Sequence, residues 1–162
     1  MSAEPIDAIR SALSLIPTGR FVLTAAHEDR RAGMLVDWVQ QCCHEPPMVV
    51  VAVEKGKGIM PLISESRQFC LCQVADDDRR LPRKFERESD LSEDPFLGAD
   101  LVPGVLPHLP ILRTSLAYLE CELACHLDVE GDHDLFVGHV KGGERRDGNP
   151  AVHVPGLATD TP

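Results

Sequence analysis

The segment Glu45-Pro46-Pro47, Met48-Val49-Val50-Val51-Ala52-Val53, Lys55-Gly56-Lys57-Gly58 restricts this chain more than any other. Six consecutive apolar residues, four of them valine, favour extended backbone. β-Branched side chains lose rotamer freedom on a helix and pack well on a pleat. Prolines on one side and glycines on the other limit the run to strand length. An unbroken apolar run predicts a strand buried on both faces.

Other strands line up around it. Phe21 to Ala26 reads as a strand, His27 to Arg31 as a polar turn, and Gly33 to about Gln40 as a second strand, together a hairpin. Further strands are expected at Phe69–Val74, at about 116–129 and 134–141, and at Ala151–Val154. Ile6, Ile9, Leu13 and Ile16 recur at helical spacing, which predicts an amphipathic N-terminal helix within residues 1–16, ended by Pro17 and Gly19. Short helices are expected at Ile59–Arg67 and within Asp76–Glu88, where Leu81 and Phe85 share a face. Residues 89–109, rich in Pro, Gly and Asp, read as a long irregular surface loop. Gly142–Asn149 reads as a polar loop, and 155–162 as a frayed tail. Strands follow one another like hairpins, without βα alternation. The expected fold is therefore mainly β, an antiparallel barrel with a few short peripheral helices, in a single domain over 1–162.

Charge narrows the function classes. With 26 acidic and 16 basic residues the formal net charge is −10. No large basic surface is available to neutralise phosphates, which argues against nucleic acid and against an anionic membrane. No apolar stretch reaches membrane-spanning length, and the N-terminus lacks the basic leader of a signal peptide. A cytoplasmic protein is expected. The six cysteines (42, 43, 70, 72, 121 and 125) form neither a disulfide framework nor the paired CxxC halves of a zinc site. Reduced thiols and no metal are expected. His126, Asp128, Asp132, His133 and Asp134 crowd one turn, which reads as a solvated acidic turn rather than a metal centre. Dinucleotide-fold, Walker A, nucleophile-elbow and HExxH motifs are absent.

Three blocks carry more information. Gly33-Met34-Leu35-Val36-Asp37-Trp38-Val39-Gln40-Gln41-Cys42-Cys43-His44-Glu45-Pro46-Pro47 leads through the valine run into Lys55-Gly56-Lys57. Leu109-Pro110-Ile111-Leu112 continues to Glu120-Cys121. Gly131-Asp132-His133-Asp134-Leu135-Phe136-Val137-Gly138 follows. In this order they resemble the signature blocks of the flavin reductase-like family, over about residues 15–155.

The resemblance implies a Greek-key split β-barrel of the FMN-binding type that forms homodimers, with FMN, or alternatively FAD, near the dimer interface. It implies NAD(P)H as co-substrate and a monooxygenase as a possible acceptor of reduced flavin. The family also holds electron carriers, so the leading expectation is an NAD(P)H-dependent flavin oxidoreductase. The alternatives are a flavin-binding carrier or sensor without nicotinamide activity, and a barrel that has lost flavin and serves as an interaction module.

A flavin needs a phosphate clamp, hydrogen bonds to its polar edge and an apolar wall. Lys55 and Lys57, with Gly56 and Gly58 between and after them, suit a phosphate clamp or an ordinary exposed basic turn. Leu35 and Asp37 replace hydroxyl residues that help hold flavin in the family. Leucine cannot hydrogen-bond, and aspartate repels phosphate but can accept from ribityl hydroxyls. Regular alternation would put Leu35 and Asp37 on one face of the strand and Met34, Val36 and Trp38 on the other. Gln41 and the peptides of Cys42 and Cys43 are placed by the resemblance at the ring's polar edge. Cys43 reads as a reactive thiol or a small packed residue, Trp38 as core or flavin wall, and Phe85 as flavin cover or helix anchor. His133 matches a family histidine near the ring and is the candidate for catalytic assistance, with a surface-turn histidine as the alternative.

Overall fold

The computed structural model describes residues 5–88 and 92–157. The end of the expected frayed tail, 158–162, lies outside them, as do residues 1–4 and 89–91. Strands β1 (Thr18–Gly19), β2 (Phe21–His27), β3 (Arg30–Val36), β4 (Val39–Cys43) and β5 (Met48–Glu54) come first, after helix α1 (Pro5–Leu13). Helix α2 (Ile59–Ser66), β6 (Gln68–Gln73) and α3 (Arg80–Phe85) follow, then β7 (Ala117–Asp128), β8 (His133–Arg145) and β9 (Val152–His153).

Seven strands form one antiparallel sheet in the order β3-β2-β6-β7-β8-β5-β4, and β1 pairs with β9 in a separate ribbon. The chain is thus mainly β with few helices, as expected. The hairpin β2–β3 is in register from Phe21↔Val36 to His27↔Arg30, turned by Glu28 in the left-handed region at φ 54°. Its terminal strand β3 and the opposite terminal strand β4 are consecutive in the chain.

That succession corrects the expected second strand. Extended pairing stops at Val36 and resumes at Val39, so Asp37 and Trp38 form a joint between two strands. The Val39 N–H turns back to the Asp37 carbonyl (3.2 Å), and the Trp38 carbonyl accepts from Ala52 N–H (3.0 Å). The simple alternation of faces predicted through 33–41 therefore ends at this joint.

The valine run also departs from expectation. In β5, Val49, Val51 and Val53 are buried while Met48, Val50 and Ala52 are only partly covered. The strands buried on both faces are β2 and β6. One side of them meets α2 in a core of Leu23, Ile59, Ile63, Phe69, Leu71 and Phe136. The other side is covered by α3 and the segment after it, with Val22, Cys70, Leu81, Phe85, Phe96, Ile111 and Leu112 forming a second core. The 89–109 region, where described, is therefore not merely a surface loop: Phe96 and Leu109 are buried in that layer.

Glu120 pins this layer to the sheet. Its carboxylate is 1% exposed and accepts hydrogen bonds from Val105 N–H (3.0 Å) and Leu106 N–H (2.9 Å). A Cβ at Gly142 would lie 2.5 Å from Glu120 Oε2. This glycine lets β8 run on to Arg145, through what the sequence suggests is a loop. Helix α1 forms near its expected place, but Ile6, Ile9, Leu13 and Ile16 are each more than half exposed, so among the described residues nothing covers their face.

Candidate functional site

The joint between β3 and β4 opens onto a cavity of about 290 Å³. Met34, Leu35, Val36, Asp37 and Trp38 line it from the joint, Ala52 and Glu54 from β5, His133 from the start of β8, and His153 and Pro155 from β9 and beyond. Five of the eleven proposed cofactor residues and the one proposed catalytic residue thus meet in one place. The meeting follows from pairing: β5 and β8 are in register at Glu54↔His133, and Ala52 bonds the joint directly.

The Trp38 and His133 rings lie 4.7 Å apart between centroids, tilted by 44°. Trp38 is 56% exposed and lines the cavity, so it is not part of the core. His133 Nδ1 lies 2.7 Å from Asp132 Oδ1. That hydrogen bond, reinforced by charge, holds the Asp132 carboxyl below the usual carboxylate range. With Nδ1 donating to Asp132, Nε2 is the nitrogen left to other partners.

Asp37 is the polar group of the joint. Its Oδ1 is buried without a hydrogen bond, and Arg20 Nε stands 3.5 Å away, also without one. That separation is long for a formed hydrogen bond, so the contact is an ion pair with spare hydrogen-bonding capacity on both sides. His153 Nε2 is 4.0 Å from Asp37 Oδ2.

The two lysines do not line this cavity; they follow Glu54, which does, and sit in a dense charge network. Lys57 Nζ is 3.1 Å from Glu54 Oε2 and 3.7 Å from Glu88 Oε2, and the Glu54 hydrogen bond raises its pKa above the ordinary lysine value. Lys55 Nζ is 2.7 Å from Asp128 Oδ1 and 3.6 Å from Asp134 Oδ1; the Asp128 hydrogen bond raises its pKa and depresses that of Asp128 in return. His126 Nε2 closes the network 2.7 Å from Asp134 Oδ2. The crowded turn is thus an ion-pair network. Among the described residues, no group of three or more His, Cys, Asp or Glu is placed to hold a metal ion.

Other candidates lie apart. Gln41 lines a second cavity of about 350 Å³ with Phe21, Met48, Leu119 and Val140. Cys42 is exposed and Cys43 half-buried, and neither lines the first cavity. Phe85 corrects the idea of a flavin cover: it is 1% exposed, 5.7 Å from the Phe96 ring, and both rings press on Gly33 where a Cβ would meet Phe85 at 2.7 Å. It anchors α3. Sequence reasoning missed Glu54, Glu88, Arg20 and His153. Period-two spacing from Ala52 could have flagged Glu54; the others reach the site only through the tertiary fold.

Comparison with known proteins bears on the family and the fold. Residues 13–158 match the family described as flavin reductase like domain. The chain is 30% identical over 147 residues to the FMN reductase (NADH) SmoA of Agrobacterium fabrum, covering 91% of this chain and 81% of that protein. It is 29% identical over 155 residues to the reductase component of 4-nitrophenol 4-monooxygenase/4-nitrocatechol 2-monooxygenase of Rhodococcus opacus, covering 94% and 80%. Of the diflavin flavoproteins it also matches, it spans only about a quarter of the length. The solved structure of the NADH:FAD oxidoreductase SgcE6 of Streptomyces globisporus shares the fold, with a TM-score of 0.84 and 22% identity over 97% of this chain and 95% of that one. Among the described residues no helix is long and apolar enough to cross a membrane. By fold, by its ordered blocks and by near full-length similarity, this chain belongs to the flavin reductase like domain family.

Proposed function

We propose that this protein is an NAD(P)H-dependent flavin oxidoreductase that takes FMN, or FAD in its place, at the β3–β4 joint. The observation that carries the reading is the cavity in which Leu35–Trp38, Ala52 and His133 converge. Its residues fit a flavin: Met34, Leu35, Trp38 and Ala52 supply an apolar wall. Asp37 lines the cavity with its side chain 28% exposed, so its carboxylate offers an acceptor for a ribityl hydroxyl, while the buried Oδ1 faces Arg20.

When bound, the flavin supplies the redox chemistry by accepting hydride from a nicotinamide. The chain's residues orient and shield. Trp38 and His133 form one rim of the cavity, and Asp132 fixes the His133 ring by its hydrogen bond to Nδ1. His133 Nε2 remains for a hydrogen bond to whatever occupies the cavity. The second partner of the hydride step enters from the open side, where Trp38 is exposed.

The reading extends to assembly. The sheet curls into a split barrel, and two copies associate through the partly covered face of β5 (Met48, Val50, Ala52) and the apolar face of α1 (Ile6, Ile9, Leu13). The α1 side chains are more than half exposed and the β5 ones partly so, and apolar surface left open in this way favours a partner. Reduced flavin is handed to a monooxygenase, the role named for the Rhodococcus relative.

The test is oxidation of NADH and NADPH, followed at 340 nm, with FMN, FAD or riboflavin added. Turnover that depends on added flavin is expected. Absence of turnover with all three rejects the oxidoreductase, and bleaching by dithionite alone points instead to a carrier. Sedimentation velocity tests the dimer.

A further inference from the structure

The Gly58 N–H, at the start of α2, donates a 2.6 Å hydrogen bond to Glu88 Oε1, while Glu88 Oε2 lies 3.7 Å from Lys57 Nζ. A carboxylate from a segment thirty positions away occupies the backbone donor and the cation that would clamp a flavin phosphate. Glu54 takes the other side of the same lysine. Glu54 also lines the β3–β4 cavity, so this one side chain borders both the cavity and Lys57. Lys55 is no substitute, because Asp128 and Asp134 hold it. Two ammonium groups therefore face four carboxylates.

We propose that Glu88 stands in for the flavin phosphate and makes this a site for flavins held by their ring and ribityl chain, with riboflavin accepted about as well as FMN. The inference rests on the flavin reading above and names the substrate class of that site. A phosphate bearing nearly two negative charges gains attraction from Lys57 only by displacing Glu88, and it is still repelled by Glu54. Its net contribution to affinity is small. A flavin without phosphate leaves the Glu88–Gly58 bond intact and enters at no such cost.

Glu88→Gln separates charge from shape. Glutamine keeps an acceptor for Gly58 N–H and the same length, and loses the negative charge. The side chain is exposed and belongs to neither core, so the fold does not depend on it. Dissociation constants for FMN and riboflavin are read from flavin fluorescence, with no turnover needed. In the unmodified protein the two are expected within about threefold of each other. In E88Q, FMN is expected to tighten about tenfold and riboflavin less than about twofold, since one charge near the phosphate has been removed. Equal tightening of both flavins, no tightening of FMN, or an FMN preference of about a hundredfold in the unmodified protein overturns the proposal. If riboflavin and FMN both fail to bind either protein, the flavin reading itself falls and takes this inference with it. Riboflavin binding with an unchanged FMN ratio sinks the Glu88 proposal alone.

Discussion

Replacing Glu120 with alanine tests how the second layer is fastened to the sheet. The carboxylate is 1% exposed and its two oxygens accept from consecutive backbone amides, Val105 and Leu106. Hydrogen bonds to a charged group contribute about 1.5–3 kcal/mol each, and the amides left behind are held close to a buried site. Part of that loss is returned because a buried charge no longer has to be desolvated. A net destabilisation of about 2–4 kcal/mol is expected for E120A. For a domain of this size that lowers the melting temperature by about 6–12 °C. Glu120→Gln should cost roughly half as much, because its amide oxygen keeps one N–H while its NH2 faces the other donor. Urea unfolding followed by circular dichroism, with the m-value unchanged, gives the free energy. Because Phe96, Leu109 and Ile111 belong to the same layer, proteolysis in native buffer should begin near 103–106 in E120A. An E120A protein that melts within about 2 °C of wild type refutes the reasoning, and the loop would then be held by its apolar contacts alone.

Two further outcomes follow from charge and burial. Burial, with the Glu120 charge adding to it, pushes the Cys121 thiol up to about 12. A thiol reagent at pH 8 should therefore modify the exposed Cys42 and Cys125, and Cys43 more slowly, while Cys70, Cys72 and Cys121 react only after denaturation; rapid loss of all six free thiols in the native protein would contradict the packing. The hydrogen bond from Arg31 holds the Asp94 carboxyl below its ordinary range. A depressed folded pKa stabilises the protein above the unfolded pKa near 4, and that stability is lost as pH falls through the folded value. Asp94→Asn should cost about 0.5–1 kcal/mol at pH 7 and almost nothing at pH 2.5, because the pair is about one-third exposed and partly screened. A gap between the two proteins that stays constant from pH 7 to pH 2.5 in urea melts would exclude this linkage.

Strands were legible in the sequence where local chemistry decides them. Glu28-Asp29 turns one hairpin and Gly131 marks another, and the valine run is a strand because little else accommodates four valines in six positions. What the sequence could not show is which faces the rest of the chain would cover. Val50 and Ala52 look as core-like as Val51 and Val53, yet only the face of β5 with Val49, Val51 and Val53 enters the core that α2 helps to build. The second layer over β2 and β6 comes from Phe96, Ile111 and Leu112, scattered among prolines and glycines without periodicity. The interruption at Asp37-Trp38 carries no proline or glycine to announce it. The candidate site was legible to the same degree. Residues 34–38 and His133 stand in recognisable blocks and meet in space. Glu88, Arg20 and His153 arrive from distant segments, and their pairing with Lys57 and Asp37 depends on tertiary placement alone.

Strands β3 and β4 stand at opposite ends of the hydrogen-bonded ladder, yet only Asp37 and Trp38 separate them along the backbone. A molecule lodged against those two residues touches both margins at once. A small shift there tugs on the first and the last rung together, without passing through the five strands between. Whatever fills that gap bears on the two free margins directly and leaves the interior rungs out of the path.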